Sequence, residues 1–289
     1  MQKKDLVISL INFNTLGVPV LSKHLTERYV TLATTIEQHT DADILTFQEV
    51  HTYVHLQLLR KLLPHFPYVI YKKFIYGPKG GLVIFSKIPI ETKQFNQFSK
   101  RGNIRNRTFY ASLVRTGTLA CKLKDYPVYI LNSYFTTNPN NTWIITNPFS
   151  KIQETQIRDL ANLIKKLKQN NDVIIVTGDF NFTKTSSSYE LFTSLTQTED
   201  VFKTFSLPTY LFERKMLKFA WHVKLLDRLF VINAKESGQV DFVFLSADKQ
   251  KVNVKEKNYI FAEKMKLFNG KESYLSDHLG LYAKLEIHV

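Results

Sequence analysis

One cysteine, Cys121, is all the chain has in 289 residues, which excludes an intramolecular disulfide. Cys121 alternates with Leu119 and Leu123, so it is expected on the core face of a strand. A lone thiol fits a reducing compartment, and a cytoplasmic location is the expectation. No run of 18 apolar residues occurs, which excludes a membrane-spanning helix. The opening MQKKDLVISLINFN carries only a short apolar stretch broken by Asn12. It reads as a first strand rather than a leader, and a removed upstream segment stays open. No Gly/Ser-rich or Pro-rich linker, repeat or low-complexity run divides the chain, so one catalytic domain over residues 1–289 is expected. Acid is scarce: 25 Asp and Glu stand against 39 Lys and Arg, a formal net charge of +14. That balance points to polyanionic partners, whether nucleic acid, an anionic membrane surface or phosphorylated small molecules, without choosing among them.

What the chain does have is a set of short apolar runs that end in polar residues. Val173–Asn181, VIIVTGDFN, reads as a buried strand running into a turn. Gly178 is expected to allow the turn. Asp179 and Asn181, two apart, share one face in extended geometry. Ile44–Glu49 is a second apolar run, ending in a carboxylate. Leu6–Asn14 is apolar on both faces and ends in Asn14. Gln239–Ser246 carries Asp241 at its start, and Ser276–His278, SDH, precedes the run Leu279–Ile287. An open sheet gathers such ends at one edge, the usual site position in α/β proteins. Each residue alone could be a cap or turn residue; together they make a poor set of caps.

Helical spacing appears at Leu25, Tyr29, Leu32 and Ile36, over His51–Leu63, after Lys151, and over Ser187–Leu195. Further strands are expected at Leu82–Ser86, Arg107–Val114, Thr118–Leu123 and Val128–Phe135. Thr136–Ser150, with Trp143, Ile144 and Ile145, is a polar loop that could form a substrate lip or an ordinary surface loop. Thr204–Glu236 places Phe212, Met216, Phe219, Val223, Leu226 and Phe230 at helical spacing between cationic flanks. It reads as a helix packed on the core, or as an element facing a membrane or nucleic acid. His51 and His55, at i and i+4, lack a third ligand and are expected on a helix surface.

In order, FN (Phe13, Asn14), QE (Gln48, Glu49), GLVIFSK (Gly81–Lys87), GDFN (Gly178–Asn181), VDFVF (Val240–Phe244) and SDH (Ser276–His278) resemble the endonuclease/exonuclease/phosphatase superfamily. The resemblance runs from Val7 to Ile287. It implies a four-layer α/β sandwich of two mixed β-sheets flanked by helices. It also implies a divalent cation, Mg²⁺ with Mn²⁺ as substitute, bound by Glu49, with Asn14 on its waters; Asp277 and Asp179 or Asn14 are the carboxylate and amide candidates to complete the site by direct contact or through water. On the same resemblance Asp179 aligns or deprotonates the attacking water, Asn181 binds phosphate, His278 contacts the scissile phosphate and Asp241 orients His278. Tyr134 stands where the sphingomyelinase and deoxyribonuclease I branches carry a second histidine; exonuclease III-type abasic endonucleases have tyrosine there.

These residue types suit phosphodiester hydrolysis. The reaction needs its anion neutralised, a water activated and the leaving oxygen stabilised, and Mg²⁺ takes carboxylate oxygens while keeping waters. The expected activity is a Mg²⁺-dependent phosphodiesterase. GLVIFSK and the long segment before SDH resemble the neutral sphingomyelinase branch. Tyr134 and the +14 charge resemble the nuclease branch, so a DNA or RNA endo- or exonuclease is the alternative. A catalytically silent relative that binds anionic surfaces is the lesser one. The partner is accordingly a phospholipid head group or a nucleic acid, with peripheral contact to an anionic membrane open.

Overall fold

The computed structural model describes residues 5–19, 21–100, 115–138, 147–168, 172–229, 236–246 and 251–288. Strands β1 (Leu6–Asn14), β2 (Ile44–Gln48), β3 (Tyr68–Ile70), β4 (Val83–Ser86), β11 (Val252–Ile260) and β14 (Gly280–Ile287) form one sheet, ordered β11-β14-β1-β2-β4-β3. Strands β5 (Ile90–Gln97), β6 (Gly117–Leu123), β7 (Val128–Tyr134), β8 (Val173–Asp179), β9 (Glu199–Asp200) and β10 (Asp241–Ser246) form the other, ordered β5-β6-β7-β8-β10-β9, and β12 (Met265–Lys266) pairs with β13 (Glu272–Ser273) in a separate ribbon. Both sheets are mixed, because β1–β2 and β7–β8 are parallel while the remaining pairs are antiparallel.

Alternation along the strands builds the layers. Ile8 and Leu10 of β1, Ile130 of β7, Val173 and Ile175 of β8 and Val243 of β10 share one core between the sheets. Their neighbours face outward. Ile11 and Phe13 meet Tyr29, Leu32 and Leu56 of helices α1 (Leu25–His39) and α2 (Tyr53–Leu62). Ile174, Val176, Phe242 and Phe244 meet Ile157, Leu160 and Phe192 of α3 (Pro148–Leu167) and α4 (Ser187–Thr196). Strands buried on both faces have to be apolar at nearly every position, as these are. The four-layer sandwich expected from the sequence is the one observed, and Cys121 lies in the inter-sheet core with Leu119 and Leu123.

Some expectations change. Helix α3 begins at Pro148, ahead of Lys151, with the Asn147 side chain capping Phe149 N. Gly178 lies inside β8 rather than at the turn. A Cβ there would collide with the Ser133 carbonyl oxygen, so the residue is needed for the close approach of β7. The turn itself comes at Asn181, with φ 50°. The strand expected at Arg107–Val114 lies outside the described residues, as do Trp143, Ile144 and Ile145 of the expected lip. Residues 204–236 do not form one helix. A 3₁₀ turn, Phe212–Leu217, and helix α5 (Ala220–Leu229) are separated at Lys218 and Phe219, where Lys218 bridges to Ser22 and Phe219 N donates to Leu21 O.

Candidate active site

Strand parity carries the site. Facing the inter-sheet space, β1 reads Ile8, Leu10, Asn12, Asn14; β7 reads Ile130, Asn132, Tyr134; β8 reads Val173, Ile175, Thr177, Asp179. The face is apolar, then neutral polar at Asn12, Asn132 and Thr177, and ends in Asn14, Tyr134 and Asp179. In the middle layer Gln48 Nε2 donates to Asn12 Oδ1 at 2.8 Å and to Asn132 Oδ1 at 2.7 Å. Asn132 Nδ2 donates to the Phe47 and Val83 carbonyls, and Asn12 Nδ2 crosses to the Gly178 carbonyl. These three buried amides tie the two sheets together immediately beneath the site.

Above them, registry sets the outer layer: Tyr134 pairs with Asp179, and Asp179 with Asp241. Asp179 Oδ2 accepts from Asn14 Nδ2 and Oδ1 from the Asn181 backbone N–H, both at 2.9 Å. Between these partners Phe180 turns the other way, into a cluster with Phe135, Phe182, Phe192, Phe242 and Phe244. That aromatic anchor fixes which way Asp179 points. Asn181 Nδ2 donates to the Phe135 carbonyl at 3.0 Å. Glu49 follows β2 with φ 63°. Its Oε1 accepts from Tyr134 Oη at 2.8 Å and from Asn14 Nδ2 at 3.2 Å. So the Tyr134 hydroxyl is directed at Glu49.

His278 Nδ1 lies 2.8 Å from Asp241 Oδ2, and its Nε2 lies 3.9 Å from Asp277 Oδ1. Thr209 Oγ1 accepts from the Val240 and Asp241 N–H groups, both at 3.0 Å, and the Tyr210 ring packs on His278 with centroids 5.3 Å apart. Asp277 Oδ2 is 2.7 Å from Lys218 Nζ in a nearly enclosed pair. Arg214, also buried, donates to the Ser276 and His278 carbonyls. Arg28 donates to four carbonyl contacts of the same corner, on Lys23, Thr15, Leu275 and Leu16. Sequence reasoning missed Thr209, Lys218, Arg214 and Arg28. Lys218 and Arg214 stood in plain view only as basic flanks of an apolar stripe. His51, expected on a helix surface, precedes α2 and is enclosed against Gly81, where burial holds its imidazole below the ordinary value.

The electrostatics follow from burial and charge. Burial raises the Asp179 carboxyl, and Asp241 and Glu49 add to it against the opposing pull of His278 and Asn14. Burial lowers the His278 imidazole, but Asp241, Asp179 and Asp277 outweigh it and raise the group overall. Burial would raise Asp277; Lys218 and His278 instead hold it below the usual carboxylate range. Glu49 Oε2 and Asp241 Oδ1 are buried and find no hydrogen-bond partner among the described residues. An unpartnered buried carboxylate oxygen is costly, and is what a hard divalent cation takes up. The donor set therefore fits such an ion. Single ligand atoms of Asp179, Asp241 and His278 also lie within 4.8 Å of one another. There, however, His278 is engaged with Asp241, and Asp179 with two amides, an arrangement that reads as a hydrogen-bonded array.

Against known proteins, a stretch of the chain is 27% identical over 182 residues to sphingomyelin phosphodiesterase 2 of Homo sapiens, covering 61% of this chain and 41% of that protein. Among solved structures, D. rerio TDP2 complexed with a single strand DNA product aligns with a TM-score of 0.71 at 17% identity, over 96% of this chain and 98% of that one. SmcL aligns with a TM-score of 0.69 at 15% identity, over 96% and 98%. At such identities the structural likeness speaks for the fold. Residues 11–278 match the Endonuclease/Exonuclease/phosphatase family, from within β1 to the histidine that follows Asp277, and the chain belongs to that family.

Proposed function

We propose that this chain is a Mg²⁺-dependent phosphodiesterase that hydrolyses the head-group phosphodiester of a phospholipid. The observation that carries the hydrolytic reading is the pairing of Glu49, whose Oε2 is buried and unpartnered, with the Asp179 and His278–Asp241 groups across the inter-sheet space. When bound, the cation would be held by Glu49 with Asn14 close by, and would neutralise charge on the phosphate. Asp179, positioned by Asn14 and the Asn181 N–H, accepts the proton of the attacking water. Water oxygen bonds to phosphorus as the bond to the leaving oxygen breaks. His278, held cationic by Asp241, presents its Nε2 side to the phosphate. Asp277 is occupied by Lys218, so its expected part as a ligand becomes indirect.

The partial likeness to sphingomyelin phosphodiesterase 2 and the GLVIFSK segment favour a lipid head group. The net charge of +14 and Tyr134 favour nucleic acid as the second reading. One assay decides between them. Sphingomyelin, other phospholipids, DNA and RNA are offered side by side with Mg²⁺, with EDTA and with EDTA followed by Mn²⁺. Release of a phosphorylated head group that EDTA abolishes and the metals restore is the expected result. Metal-dependent cleavage of nucleic acid alone would transfer the assignment to the nuclease reading. No turnover of any of them would leave the silent relative.

A further inference from the structure

Apart from the buried Leu217, residues 212–225 turn their described large apolar side chains to solvent. Along the 3₁₀ turn and the start of α5 two cations point inward, Arg214, 4% exposed and reaching the Ser276 and His278 carbonyls, and Lys218, which grips Asp277, while Lys215 and Lys224 are exposed. The large apolar side chains point outward: Met216 is 57% exposed, Trp221 65% and Leu225 48%, with Phe212 and Phe219 beside them. Trp221 and Leu225 are four apart on a helix, so they share a face, and exposed Lys224 lies between them. Lys215 sits over the Phe212 ring at 5.1 Å and Lys23 over the Phe219 ring at 5.8 Å. Scattered exposed apolar residues are ordinary, but five on one short strap, interleaved with lysines, are not.

We infer that this strap is the surface by which the protein settles on an anionic phospholipid bilayer. Trp, Phe, Leu and Met tips with ammonium groups at the same level match the head-group boundary, where apolar ends enter the acyl edge and lysines meet lipid phosphates. Nucleic acid fits less well. Met216 and Leu225 have no ring to stack on a base, and the strap's own arginine in the outward-dressed stretch, Arg214, is turned into the protein. A second copy fits less well too, since a face-to-face pair would set Lys215 and Lys224 against their own like charges. The strap also supplies the site, because Lys218 contacts Asp277 and Arg214 donates to the His278 carbonyl. A lipid reached from this face would meet the catalytic edge directly. For its biological purpose the inference rests on the phospholipid reading above; its measurement does not.

The test uses the full chain, flotation with phosphatidylcholine vesicles with and without phosphatidylserine, and turnover of a water-soluble chromogenic phosphodiester in Mg²⁺. Wild type is expected to float with the anionic vesicles. Trp221→Ser with Leu225→Ser should weaken that binding more than tenfold, and should do so even in high salt, because about fourfold is lost for each buried methylene equivalent. Lys215→Gln with Lys224→Gln should weaken it about fivefold per charge, in low salt only. Both variants should keep wild-type melting temperature and soluble-substrate turnover. The proposal is overturned if wild type ignores anionic vesicles, if the serine variant floats as well as wild type, or if that variant melts several degrees lower. Loss of DNA binding or of self-association in the variants, with vesicle binding unchanged, overturns it as well. Intact vesicle binding without turnover of any phosphodiester would count against the enzymatic reading while supporting this one.

Discussion

Two layers of polar side chains lie one above the other where the strands of the two sheets end. The inner layer, Asn12, Gln48 and Asn132, is made of amides whose N–H groups are spent on carbonyl oxygens of one another and of the backbone. The outer layer, Glu49, Asp179, Asp241 and His278, is charged and keeps two carboxylate oxygens, Glu49 Oε2 and Asp241 Oδ1, without a hydrogen-bond partner among the described residues. The inner layer ends its bonding inside the fold. The outer layer is left with capacity for something that comes from outside. Among the described residues Gln48 Oε1 also lacks a partner, so the contrast is one of charge: a neutral amide oxygen left over is a modest cost, whereas charges with incomplete partners are retained against a larger one and mark where function sits.

Variants can break that contrast or sharpen it. The largest effect is expected at Asp179→Asn, which keeps shape and removes the proton acceptor. The kcat on the substrate identified above should fall by about 10²- to 10⁴-fold. Removing a like charge from beside Asp241 and Glu49 should leave the melting temperature unchanged or raised. A variant with near wild-type kcat would detach Asp179 from the chemistry.

Next comes Lys218→Met, which leaves Asp277 buried without its counter-charge. About 3–5 kcal/mol of stability should be lost in denaturant titration. Adding Asp277→Asn should restore part of it, since the stranded charge is then gone. If the double variant is less stable than the sum of the singles, the pair is not the unit assumed here.

Gln48→Leu probes the inner layer. Asn132 Oδ1 loses its donor, which costs about 1–3 kcal/mol for the unsatisfied group, while Asn12 Oδ1 keeps the Thr46 hydroxyl at 3.1 Å. Turnover per folded molecule should hold to within a fewfold. A collapse of kcat at unchanged stability would erase the distinction between the two layers.

The smallest effect lies far from both layers. Asp41 accepts from Lys284 and from Tyr282 Oη, which hold its carboxyl below the ordinary range. A depressed folded pKa stabilises above the unfolded value and fades as pH falls through the folded one. Asp41 is mostly solvent-screened, so Asp41→Asn should cost less than about 1 kcal/mol at neutral pH. The two proteins should converge below about pH 3. A constant difference down to that pH would assign the loss to packing.

The sequence made the central strands readable because burial on both faces demands unbroken apolar runs, as in Val173–Val176. It concealed β5 and β11, edge strands whose exposed positions carry Glu, Thr, Lys and Asn and so break the apolar run. Glu49, Asp179, Asp241 and His278 were readable because each ends or precedes an apolar run. Asn12, Gln48 and Asn132 were not, since an amide inside a strand announces no partner across the sandwich. Residues 204–236 misled for a related reason. Helical periodicity describes local geometry, whereas Lys218 answers to Asp277, 59 positions along the chain.

Cys121 has a practical consequence. Its thiol is 2% exposed among the inter-sheet residues, and burial pushes it up to about 12. A thiolate-directed reagent can reach it only when the two sheets separate. The chain thus carries a single built-in reporter of breathing, so the rate of alkylation with and without Mg²⁺ reads how firmly a ligand at the rim clamps the sandwich below.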